Sequence, residues 1–294
     1  VIDFMPVENP ETASNKHLIV RIARVVRGTV KFKLECAPRF DYGRIDHQLE
    51  LQDHHALFTS PNLEMSLHTQ RKLDHSEGKT LQNGVARQEF TLSAGERVGC
   101  ILTTGPVGST AGALNEGRVI GFLEDTIKFW RGWVGKSTYR GRWRSTVIRS
   151  AVTLKLLTYA PTGALVAAPT AGLPEQVGGE RNWDYRYTWV RDGSFSVSAL
   201  MELGYNDEAA AFLKWLSQRV EESVIEGSGP LKLMYRIDGS SDLEETELPH
   251  LEGYEKSSPV RIGNGAADQL QLDIYGEAVD AIYQLVLQGR SMYY

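Results

Sequence analysis

The spacing of apolar residues changes once along this chain of 294 residues, from every second position to a helical 3.6, at about residue 120. Before that point Val30, Phe32, Leu34 and Cys36 alternate with Lys31, Lys33 and Glu35. Such a period of two marks a strand with one buried face. After it, Trp143, Val147, Ala151 and Leu154 recur at helical intervals. Strands first and helices second imply two packed domains rather than one interleaved sheet.

Further strands are expected at Leu18 to Val26, Ala56 to Thr59, Leu63 to Leu67, Gln88 to Leu92 and Val98 to Thr103. Arg27-Gly28 reads as a hairpin turn between the first two strands. Asp74 to Gly78 and Gln82 to Gly84 read as further turns, and Gly105 to Gly117 as the loop leaving this half. Many short strands with polar turns suggest an antiparallel sandwich.

In the second half, Pro161 and Gly163 stop the Trp143 helix. A second helix is expected to open at Asp192 and close at Gly204, and a third to be capped by Asn206. Ala209, Phe212, Leu213, Leu216 and Val220 form the buried stripe of the third. Leu270, Ile274, Ala278 and Ile282 form that of a fourth.

A net charge of −5 argues against nucleic acid or an anionic membrane as partner, since both need a basic footprint. In such a chain the basic, aromatic stretch Trp130 to Arg149 reads as a solvated linker and helix face. No run of 18 apolar residues occurs, so no membrane span is expected. Two cysteines without C-x-x-C spacing, Cys36 and Cys100, read as reduced thiols. No leader pattern opens the sequence, which suggests a cytoplasmic protein. Val1-Ile2-Asp3-Phe4 nevertheless reads like the middle of a strand, and the chain like part of a longer one.

The stretch Gly179 to Asp192 packs three arginines, two aspartates, two tryptophans and two tyrosines into fourteen residues. Burying so many charges costs free energy unless they pair with one another or with a ligand. Sugars present apolar C–H faces rimmed by hydroxyls, which suit aromatic platforms beside charged hydrogen-bonding groups. Arg191 supplies a rigid donor fork, and Asp192 either caps a helix or accepts hydroxyl bonds. The other reading of the same residues is a structural knot of Arg–Asp pairs. A second polar stretch, Arg261 to Gly265, leads into a helix carrying Asp268, Gln269 and Asp273. Glycoside cleavage needs two carboxylates, and spacing alone does not choose them.

The blocks Arg181-Asn182-Trp183-Asp184-Tyr185-Arg186-Tyr187, Trp189-Val190-Arg191-Asp192 and Gly204-Tyr205 resemble the signature of glycoside hydrolase family fifteen. His250 to Tyr254, Pro259 to Asn264 and Gln269 to Glu277 are similar to its next block. Asp3-Phe4-Met5-Pro6 and Pro38 to Gly43 are similar to the N-terminal sandwich of prokaryotic members.

The resemblance implies an antiparallel β-sandwich over residues 1–115, a linker with a helix over 116–141, and the first part of an (α/α)6 barrel over 142–294. It implies inverting hydrolysis of α-glucosidic bonds, in trehalose or in maltooligosaccharides and glucans, with a small carbohydrate as partner and no cofactor or metal. Arg191 and Asp192 correspond to sugar-binding residues of the first subsite, with Trp189 in the same wall; Trp183 and Arg261 are further substrate-binding candidates. The family's general acid is a Glu in a Trp-Glu block, and no Trp-Glu dipeptide occurs here. General acid and base are therefore expected beyond Tyr294, and the isolated chain is expected not to turn over. Two other readings remain: a non-catalytic carbohydrate-binding or interaction remnant, and a relative of disaccharide phosphorylases.

Overall fold

The computed structural model describes residues 1–7, 17–74, 80–108, 116–224 and 230–287. The chain divides into two compact units, Val1–Gly132 and Trp133–Tyr294.

The first unit is antiparallel throughout its described strands. β1 (Ile2–Phe4), β2 (His17–Arg24), β4 (Gln48–Gln52), β5 (His55–Thr59), β6 (Glu64–Thr69), β7 (Thr80–Gln82) and β9 (Arg97–Gly105) form a seven-stranded sheet. Their order is β1-β2-β9-β6-β5-β4-β7. β3 (Thr29–Cys36) pairs instead with β8 (Ala86–Ser93), in a register that places Phe32 opposite Phe90 with the rings stacked at 5.5 Å.

The alternation read in β3 marks a face that is half-buried at Phe32, Leu34 and Cys36 and exposed at Val30, and the expected hairpin at Arg27-Gly28 does not form. β2 pairs with β1 and β9, so the turn at Gly28, with φ +74°, carries the chain from one sheet to the other. The apolar side of the ribbon, Leu34, Cys36 and Ala86, packs with Leu49, Ala56, Phe58 and Leu67 of the large sheet. Residues 75–78 of the turn expected at Asp74 to Gly78, and residues 109–115 of the loop expected at Gly105 to Gly117, lie outside the described residues.

Cys36 and Cys100 are both free. Burial pushes each thiol up to about 11. Since the thiolate is the reactive species, both should resist a thiol-specific reagent in native buffer near pH 8 and react on unfolding. Rapid labelling of either residue in the folded protein would contradict this burial.

The helix α1 (Glu116–Gly135) runs from the first unit into the second. The second unit contains α2 (Arg144–Leu157), α3 (Val190–Glu202), α4 (Asn206–Val224) and α5 (Asp273–Leu287). Ala209, Phe212, Leu213 and Leu216 of α4 are buried in one core with Val190, Val197 and Met201 of α3 and Ile274, Ala278 and Ala281 of α5. Gly193 permits this approach: a Cβ there would stand 2.3 Å from the Phe212 ring.

Four of the expected helix starts are corrected. Trp143 precedes α2 and is 59% exposed, and Leu270 precedes α5 and is 64% exposed, so neither belongs to a buried stripe. α3 begins at Val190, which makes Asp192 its third residue and leaves Trp189 in the capping position without a side-chain bond. Nor does Asn206 cap α4, because its side-chain oxygen accepts no hydrogen bond. Apolar periodicity continues past a helix end, and only the capping bonds locate that end.

Two short antiparallel pairs complete the second unit. β10 (Thr188–Trp189) pairs with β11 (Met234–Tyr235), and β12 (Thr246–Glu247) with β13 (Arg261–Ile262). No helix among the described residues is long and apolar enough to cross a membrane.

Candidate functional site

The stretch rich in arginine and aspartate folds around Asp184, whose side chain is fully buried. Arg186 donates to it from the backbone N–H at 3.1 Å, from Nε at 2.9 Å and from Nη2 at 2.7 Å. The Tyr187 hydroxyl donates to Asp184 at 3.2 Å and accepts from the Gly263 N–H at 3.0 Å. Asn264 donates to the Asp184 carbonyl at 3.1 Å. A buried carboxylate with this many donors is satisfied, and the donors are too. Asp184, Arg186 and Tyr187 are therefore the structural knot. They tie the 184–187 segment to the 263–264 loop.

Downstream of the knot, the β10–β11 pair fixes the backbone of Trp189, and α3 starts at the next residue. Trp189 is only 6% exposed, its ring packed beside those of Tyr185 at 5.4 Å and Tyr187 at 6.5 Å. Arg191 and Asp192 follow in the first turn of α3, where the helix dipole favours an acid. Nη1 of Arg191 donates to Gln271 Oε1 at 3.3 Å and to Asp273 Oδ2 at 3.2 Å. Nη2 lies 3.4 Å from Asp192 Oδ2, within ion-pair range. That oxygen is nevertheless buried and accepts no hydrogen bond, so the pair is not aligned for one.

Tyr185 stands between two carboxylates. Burial first, then Glu175 and Asp192, raise its phenol above the usual range, and it bonds Glu175. Glu175 also takes Arg181 at 3.1 Å, and with Gln176, Gly179, Glu180 and Arg181 it lines a recess of about 240 Å³. A larger recess of about 680 Å³ lies in the first unit, lined by Asp46 and His47 among others. There Asp46 already accepts from Gln82 and Asn83.

Trp183 and Arg261 form a second group. The Arg261 guanidinium lies 4.8 Å from the centre of the Trp183 ring, a cation–π contact. It donates to the Glu180 carbonyl at 2.8 Å and pairs with Glu245 at 3.2 Å and Glu247 at 3.5 Å. Of the residues singled out from the sequence, Trp189, Arg191 and Asp192 thus share the start of α3. Trp183 and Arg261 meet each other, and the partners of Arg261 do not include Arg191 or Asp192. Tyr185, Gln271 and Asp273 are the additional members of the Arg191 group. Tyr185 was visible in the aromatic stretch and Asp273 in the second polar stretch, but the contacts of Gln271 and Asp273 with Arg191, across 80 and 82 residues, leave no local trace.

The group combines an oriented guanidinium, a buried carboxylate oxygen without a donor and a tyrosine hydroxyl. These can hold neutral, hydroxyl-rich molecules through charge-assisted hydrogen bonds. Among the described residues no cluster of His, Cys, Asp or Glu suits a metal ion.

Comparison with known proteins agrees with this chemistry. Residues 141–294 match the family Glycosyl hydrolases family 15. A trehalase of Thermoplasma acidophilum is 50% identical over 167 residues, 57% of this chain and 28% of that protein. Trehalases of Mycolicibacterium smegmatis and Mycobacterium tuberculosis are each 37% identical over 273 residues, 91% of this chain and 40% and 39% of theirs. The chain spans well under half the length of these relatives.

Proposed function

Because the chain belongs to glycosyl hydrolases family 15, we propose that it carries the sugar-binding wall of an enzyme that hydrolyses α-glucosidic bonds with inversion, with trehalose as the first substrate to test. The observation that carries this reading is the buried, unbonded Oδ2 of Asp192 beside the Arg191 guanidinium. A buried carboxylate oxygen without a donor is costly on its own and is satisfied by a ligand hydroxyl. Arg191 reinforces the same position as a donor to a hydroxyl oxygen. In this reading Tyr185 presents its ring near the sugar with Trp189 behind it, and Trp183 and Arg261 form a wall further from the reacting bond.

Inverting cleavage needs an acid on the leaving oxygen and a base holding water, with the carboxyls about 6.5–9.5 Å apart. No Trp-Glu dipeptide of the kind that the family resemblance assigns to the acid occurs in this chain. The proposed division of labour therefore gives this chain substrate binding and leaves proton transfer to residues outside it. The fold belongs to the same proposal: the β3–β8 ribbon packed on the large sheet is a sandwich, and α2 to α5 belong to an (α/α)6 barrel. Exposed Tyr275, Val279, Tyr283 and Val286 on α5 suit packing against further barrel helices.

Assay of the intact protein on trehalose, maltose, isomaltose and starch, with and without inorganic phosphate, tests the reading. Release of β-glucose from one α-glucoside is expected. Release of a sugar phosphate in strict dependence on phosphate would assign a phosphorylase, and no cleavage of any of the four would remove the reading.

A further inference from the structure

Among the described residues Arg191 is the one cation of its group, and three acceptors surround it: Gln271 Oε1, Asp273 Oδ2 and Asp192 Oδ2. Two of them, Gln271 and Asp273, both engage Nη1 and belong to the segment that opens α5. Gln271 is itself oriented, because its Nε2 donates to Gln269 Oε1 at 3.1 Å, which turns its own Oε1 toward Arg191. Asp273 adds the charge. The third acceptor, Asp192 Oδ2, lies further away at 3.4 Å and accepts no bond.

We infer that Asp273, with Gln271, is a positioning residue that holds the Arg191 guanidinium toward α5 and so leaves Asp192 Oδ2 unbonded, for a sugar hydroxyl to engage on binding. The physical reason is competition. A guanidinium between two carboxylates aligns with the one that offers the better geometry. With Asp273 removed, the only carboxylate left in reach of Arg191 among the described residues is Asp192. Arg191 then swings into a bidentate pair with it, occupying the oxygen that a hydroxyl would use. Asp273 touches no substrate in this scheme and acts only through Arg191. The inference rests on the proposed sugar site for its consequence, but the clamp itself does not.

Two measurements on the intact protein separate these levels. The first is the rate at which phenylglyoxal modifies Arg191, followed by peptide mass spectrometry in wild type, Asp273→Ala and Asp273→Asn. Arg186, held by Asp184, serves as the internal control. Loss of one charge-assisted bond should change the Arg191 rate by roughly tenfold in Asp273→Ala and by less in Asp273→Asn. The Arg186 rate should stay constant. An unchanged Arg191 rate, or an equal change at Arg186 that reports general loosening, overturns the clamp.

The second is a kinetic cycle on the cleaved glycoside. Asp273→Ala should raise KM and lower kcat, and should have no further effect once Arg191→Ala is present. Additive losses would show that Asp273 does not act through Arg191. If no glycoside is cleaved, the proposed function fails, and the modification rates alone decide the clamp.

Discussion

Asp184→Ala should destabilise the second unit by about 3 kcal/mol, the low end of the cost of removing one partner from a buried ion pair. The carboxylate is fully buried and takes three donors from Arg186 and one from Tyr187. Alanine would leave the Arg186 guanidinium without its counter-charge and the Tyr187 hydroxyl without an acceptor. Because the Arg186 side chain is 32% exposed, water can recover part of the loss, which is why the upper end of the range is not expected. Asp184→Asn keeps the shape and one acceptor and should cost less. Denaturant titration followed by a signal from the second unit measures both. A change below about 1 kcal/mol for Asp184→Ala would mean that the knot does not hold the 184–187 segment to the 263–264 loop.

The second large effect concerns chemistry rather than stability. In the intact enzyme Asp192→Asn should lower kcat/KM on the cleaved glycoside by about a hundredfold, from the loss of charge-assisted bonds that tighten in the transition state. KM should rise and kcat fall together. The thermal midpoint should move little, because Asp192 accepts no hydrogen bond through Oδ2 and its side chain is 44% exposed. That combination separates Asp192 from Asp184, whose loss acts through folding. Wild-type kinetics in Asp192→Asn would exclude the carboxylate from the site.

Much of this architecture was legible because it rests on local periodicity. The stripe from Ala209 to Leu216 is buried in the structure, while the alternating face of β3 is half-buried at Phe32, Leu34 and Cys36 and exposed at Val30. What periodicity does not carry is the partner. Strands β2 and β3 are adjacent in sequence and each apolar, yet they pair with β9 and β8, since a short turn serves a change of sheet as well as a hairpin. β4 went unread because its five residues supply only Leu49 and Leu51 as apolar positions. Leu270 and Trp143 kept helical spacing beyond the helix ends, and Trp143 makes no side-chain capping bond to mark the limit of α2.

The site divides in the same way. Arg191 and Asp192 stand out in sequence because charges among aromatics demand an explanation. Which aspartate is the knot and which keeps an unbonded oxygen was not legible. Both sit in the same fourteen residues, and only the direction of Arg186 toward Asp184, and of Arg191 toward Gln271 and Asp273, separates them. Long-range pairing of this kind has no signature at a fixed spacing.

The central claim is that Arg191 and Asp192 hold the sugar, and a crystal structure of the intact protein with a bound α-glucoside tests it most directly. One hydroxyl of the glucosyl ring should lie about 2.7–3.2 Å from Asp192 Oδ2, with Arg191 still bonded to Asp273 and donating its other nitrogen to the sugar. A glucosyl ring bound in a well-formed site that leaves Asp192 Oδ2 without a sugar contact would contradict it.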